Sequence, residues 1–195
     1  MIFLASTRSR FSECLSKAKR LFNAFLLMAV VLALAGMKTL SAAEEPPLAI
    51  AIAVAHRGKD RVIEYSAPNA HFHVLITNTS DEPLRIWQEW CSWGYFGLSF
   101  ECSDAEGGKW TAKKLPRRWD KNYPDYWTLA AHESLVLDVS FADTRTWKGF
   151  RRPAGMSQEI TMRAILEFQP EAESQKHSVW TGRAASKADT YLLYR

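Results

Sequence analysis

Apolar and polar positions alternate with a period of two through most of the chain after residue 43, and no stretch there keeps a helical period. Ile50, Ile52 and Val54 alternate with alanines, and Phe72, Val74 and Ile76 with His71, His73 and Leu75. Asn78-Thr79-Ser80-Asp81-Glu82 supplies turn chemistry, after which Leu84 and Ile86 resume between Arg85 and Trp87. Phe96, Leu98, Phe100 and Cys102 form one apolar set; Leu135, Leu137, Val139 and Phe141 form another, opposite Asp138 and Ser140. Ile160, Met162, Ala164, Leu166 and Phe168 are interleaved with Thr161, Arg163 and Glu167. Ser178 to Thr181 and Thr190 to Tyr194 read as closing strands, interrupted by the small residues of Gly182 to Ala188.

Short strands at this spacing predict an all-β fold, an immunoglobulin-like antiparallel β-sandwich of seven to nine strands. One polar face per strand argues against a parallel α/β sheet, whose strands read as continuous apolar runs. Two long connections interrupt the rhythm, Ala105 to Tyr126 and Ala142 to Gln158, and such loops on a rigid sandwich are where binding residues gather.

The first 43 residues follow a different pattern. Arg8, Arg10, Lys17, Lys19 and Arg20 precede an apolar run from Leu21 to Met37, and Ser41-Ala42-Ala43 then offers small residues suited to a signal peptidase. Residues 1–43 are therefore expected to be a helical signal peptide and residues 44–195 a single sandwich domain. The implied location is secreted or periplasmic. The rival expectation is an uncleaved leader that touches the membrane; the 17-residue run, with Asn23 in it, is short for a span.

Cleavage changes the charge. The whole chain carries 25 Lys and Arg against 21 acidic residues, but the leader holds six of the former and only Glu13 of the latter. Residues 44–195 keep 19 basic and 20 acidic side chains, a net charge of −1, so the basicity that would suggest nucleic acid belongs to the leader. Cys14 also lies in the leader, which leaves Cys91 and Cys102. An even count in an oxidising compartment favours a Cys91–Cys102 disulfide over two small buried thiols.

The stretch Phe72 to Trp87 is similar to the early hairpin of immunoglobulin-like bacterial modules. Cys91 to Glu101, Asn122-Tyr123-Pro124 and Val179 to Gly182 with Ser186 resemble uncharacterised secreted proteins of planctomycete-type bacteria, a likeness that implies a fold and no activity. The order hairpin, Gly108-Lys109-Trp110, apolar strand and closing strands resembles the BsuPI-type proteinase inhibitor fold, which implies an inhibitor, although no reactive segment matches residue by residue.

His71 and His73 share one face of a strand, as a metal pair would. The jelly-roll metalloprotein pattern adds a Glu four or five residues on, where this chain has Thr77 and Asn78, and parity puts both histidines on the solvent face. A hydrolase using this strand is the alternative to a binding protein. No Gly-x-Ser-x-Gly elbow and no cofactor motif is present, so the expectation is a protein without catalysis, metal or cofactor.

All eight tryptophans follow residue 43, at 87, 90, 93, 110, 119, 127, 147 and 180. Parity puts Trp87 and Trp180 opposite the apolar sets, and Trp119 lies among Arg117, Arg118, Asp120 and Lys121. The candidate binding residues are Trp119, Asp120, Asn122, Tyr123, Tyr126, Trp127 and Trp147, rings beside hydrogen-bonding side chains, suited to a carbohydrate or a protein ligand. The pairs Lys113-Lys114, Arg117-Arg118 and Arg151-Arg152 read as solvated loop charges, and the Asn78-Thr79-Ser80 sequon as a turn.

Overall fold

The best alternating segments become strands whose apolar sets face inward. The computed structural model describes residues 45–67 and 69–195; the expected signal peptide, its expected cleavage site and Cys14 lie outside the described residues. Strands β1 (Leu48–Ala53), β4 (Phe72–Asn78) and β9 (Ser134–Val139) form a three-stranded antiparallel sheet in the order β1-β4-β9. A larger sheet runs β10-β7-β6-β11-β13-β3-β2, with β12 also paired to β11. Its strands are β10 (Trp147–Lys148), β7 (Lys109–Lys114), β6 (Leu98–Asp104), β11 (Ser157–Phe168), β13 (Asp189–Tyr194), β3 (Asp60–Glu64), β2 (Ala55–Arg57) and β12 (Gly182–Ala185). All pairs are antiparallel except β13 with β3, which is parallel.

The two sheets form a sandwich. Leu48, Ile50, Phe72, Val74, Ile76, Leu137 and Val139 of the smaller sheet join Leu98, Phe100, Ala112, Ile160, Met162, Ala164, Leu166 and Leu193 of the larger in one buried cluster. Phe72 and Phe100 meet across it edge to face at 5.5 Å. A separate two-stranded ribbon pairs β5 (Leu84–Trp87) with β8 (Tyr126–Leu129), the strand that follows the first long connection. Two short helices, α1 (Ser92–Tyr95) and α2 (Ala172–Lys176), complete the elements among the described residues, where no helix is long and apolar enough to cross a membrane.

The thirteen strands among the described residues exceed the seven to nine expected, because pieces of two to four residues carry too few positions for alternation to register. Part of the first long connection is strand β7, pairing Ser99 with Lys113 and Cys102 with Trp110. Its inward positions are Trp110, Ala112 and Lys114, so a lysine stands where the pattern needs an apolar residue, and Lys114 is buried rather than solvated. Near the C-terminus the expectation reverses. Gly182–Ala185 pairs with β11, whereas Ser178 has a positive φ and Val179 makes only an isolated bridge to Arg85.

The Cys91–Cys102 disulfide is corrected: both cysteines are free, buried thiols. Cys102 sits in β6 at the middle of the larger sheet, between Met162 and Trp110, whereas Cys91 precedes α1 and turns its Sγ toward the Gln88 carbonyl at 3.2 Å. Burial pushes the Cys102 thiol up to about 12. Native protein should therefore leave both cysteines unlabelled by iodoacetamide, and unfolding should label both, as peptide mapping would read. Recovery of a Cys91–Cys102 cross-linked peptide would contradict this.

Candidate functional site

The aromatic residues gather around one segment, Gln88 to Gly97, which leaves β5, turns through Cys91 and makes helix α1. Gly94 allows this path: a Cβ there would lie 2.1 Å from the Gln88 carbonyl oxygen. The loop from Asn122 to Tyr126 is stitched to the segment on one side. Gln88 donates its backbone N–H to Asp125 O at 3.0 Å and its Nε2 to Tyr126 O at 3.3 Å. Ser92 N–H donates to Asn122 Oδ1 at 2.9 Å, and Asn122 Nδ2 returns a hydrogen bond to Ser92 Oγ at 2.7 Å. The polar side chains of this loop are thus partly consumed in fixing it.

Trp90 is held in place yet open. Its Nε1 donates to Asp125 Oδ2 at 2.9 Å and its ring meets Trp127 edge to face at 5.5 Å, while 59% of the residue stays exposed. Tyr123, in the stitched loop, is 74% exposed, and Phe96, at the end of α1, is 50% exposed. These three are the exposed large aromatic residues among the described residues, and all belong to the two stitched segments.

The expected site residues divide. Trp127, half-buried, packs against Trp90, and Tyr123 is exposed on the stitched loop. Asn122 is the loop's anchor, and Asp120 is exposed with Arg118 3.4 Å away. Trp119 is half-buried, edge-on to Tyr95 at 5.5 Å and covered by the Arg117 guanidinium at 4.4 Å. Tyr126 faces the other way, toward Trp87 and His177, with the Arg85 guanidinium over its ring at 4.7 Å. Trp147 is a core residue against Phe100 and Phe141. Trp87, expected on an open face, is also core, because the β5–β8 ribbon is covered on both faces and parity loses its meaning there.

Behind α1 lies a charged cleft of about 400 Å³ containing His71, Glu89, Lys114, Asp138 and Asp143. Lys114 forms an ion pair with Glu89, and its ammonium lies 5.0 Å from the Tyr95 ring centre and 5.8 Å from that of Trp147. Burial pushes the Tyr95 hydroxyl up; Arg117 lowers it, and the carboxylates of Asp143 and Glu89 raise it again. His71 and His73 are exposed, as parity expects, and His73 Nδ1 is 2.8 Å from Asp138 Oδ1 across the sheet. Among the described residues no group of three or more His, Cys, Asp or Glu side chains is placed to hold a metal.

Sequence reasoning passed over Trp90 and Phe96. Trp90 carried one usable signal, a large ring beside the break in alternation at Cys91. Phe96 carried none, since it continues the parity of Leu98 and Phe100 and is exposed only because the strand begins after Gly97. Compared with protein-family models and with curated proteins, the chain matches none.

Proposed function

We propose that this protein is an exported, non-catalytic binding module whose aromatic surface takes a carbohydrate or protein ligand. The observation that supports it best is the display of Trp90, Phe96 and Tyr123 on two segments fixed to each other by hydrogen bonds. Exposed rings of this size on mutually fixed segments are what a recognition surface contains. Fixing them before the ligand arrives lowers the ordering cost of association. Trp90 adds a polar edge already satisfied by Asp125, so its exposed ring surface is free to stack against a sugar or a side chain. The −1 charge of residues 44–195 supports a ligand other than nucleic acid. Export is supported by the pattern of the leader and would place this surface in a secreted or periplasmic setting.

Glycan and peptide arrays probed with the protein and with its Trp90→Ala variant test this reading. Ligands recognised through the surface should weaken by about 2 kcal/mol or more in the variant. Arrays whose every hit survives the substitution unchanged, or which show no hit at all, would sink the proposal.

A further inference from the structure

Beside the exposed Phe96, α1 forms one wall of a groove of about 370 Å³, at the low end of ligand-pocket size. Trp93 and Phe96, three residues apart, line the groove together with Gly97, the Trp93 ring also packing on Trp87. The opposite wall is the end of β11 and the start of α2, which bring Glu167 and Glu171 to the groove. Lys113 is the single basic residue lining it, so carboxylates outnumber cations two to one. Glu171 has no ion-pair partner among the described residues, and Glu167 is engaged only by Gln169 and, at 3.8 Å, by Arg183.

We propose that this groove receives the cationic side chain of a lysine or arginine from a protein partner. It deepens the reading of the aromatic surface as a binding site and rests on it, since Phe96 belongs to both. A ring face attracts a cation through its quadrupole, and a neighbouring carboxylate supplies the counter-charge. The protein already uses this pairing on the other side of α1, where Tyr95 and Glu89 hold the ammonium of Lys114. In the groove the rings are present, Arg183 reaches only Glu167 of the two carboxylates, and Glu171 has no cation paired with it among the described residues. Neutral sugars would gain from the rings but leave the Glu171 carboxylate without a partner among the described residues, which favours the cationic side chain.

The test is an NMR titration of the protein with Nα-acetyl-lysine N-methylamide, its arginine counterpart and the neutral norleucine counterpart. The cationic amides should bind at least tenfold more tightly than the neutral one, and the preference should shrink as salt rises from low to high ionic strength. The Glu167→Gln/Glu171→Gln double variant should lose that preference, and Lys113→Gln should strengthen cation binding two- to threefold. Absence of binding by the cationic amides, equal binding of the neutral amide, or an unchanged preference in the double variant would overturn the groove assignment. Array hits that depend on Trp90 alongside such a result would leave the wider binding reading standing. Cation binding in the groove with no Trp90-dependent hit would do the reverse.

Discussion

Asn78→Ala should lower stability by about 3 to 4 kcal/mol, a fall in melting temperature of roughly 10 °C for a domain of this size. Asn78 ends β4 and is fully buried. Its Nδ2 faces three carbonyls, Glu82 O at 2.7 Å, Ala130 O at 3.0 Å and Leu129 O at 3.2 Å, while Oδ1 accepts from Ser80 N–H at 3.0 Å and Ser80 Oγ at 2.7 Å. One amide therefore ties the three-stranded sheet to the turn before β5 and to the end of β8. Alanine would remove all five hydrogen bonds and open a small cavity, and of the three carbonyls Glu82 O alone would keep a side-chain donor, Ser80 Oγ. Asn78→Asp should be at least as damaging at neutral pH, since a carboxylate would face three carbonyl oxygens. Its folded-state pKa would be raised, so the charge-related penalty is absent well below the ordinary carboxylate range and grows as pH rises through it. Melts of both variants at pH 3 and pH 7 check this; a Asn78→Ala variant as stable as the parent would remove Asn78 as the anchor.

The second large effect is expected at Gly94. A Cβ there would lie 2.1 Å from the Gln88 oxygen, 2.7 Å from its carbonyl carbon and 2.9 Å from the carbonyl carbon of Trp87. All three are backbone atoms, so no side chain can swing aside. Gly94→Ala should cost about 3 kcal/mol by overpacking and push α1 away from the end of β5. Because α1 carries Trp93 and leads into Phe96, the same variant should change the indole environment seen by near-ultraviolet circular dichroism. A melting temperature and spectrum equal to the parent's would show that the segment tolerates another path.

Strand parity was legible wherever one face met the core and the other met water. Phe72, Val74 and Ile76, or Leu137 and Val139, followed it directly. The rule failed where tertiary contacts covered both faces. Trp87 is enclosed by Trp93, Tyr126 and His177, and in β11 Ala164, Ile165 and Leu166 are buried in succession. Lys114 hid strand β7 because its ammonium is neutralised inside the fold by Glu89, a partner 25 positions away. The disulfide expectation rested on count and compartment, neither of which carries direction; the side chains of Cys91 and Cys102 belong to different parts of the core. For the site, the loop from Trp119 to Trp127 was legible as a concentration of rings. Which rings stay open was not, because it is decided by Ser92, Gln88 and Arg117 packing onto the loop from elsewhere.

Tyr123 offers the cleanest probe of the aromatic surface, being three-quarters exposed and, among the described residues, without a ring or hydrogen-bond partner within the fold. The decisive measurement is the affinity of Tyr123→Ala, relative to the parent, for a ligand selected on the arrays. Recognition through this surface predicts a loss of roughly tenfold or more with a melting temperature within about 1 °C of the parent. An unchanged affinity, or a loss of binding that tracks a fall in melting temperature, would contradict it.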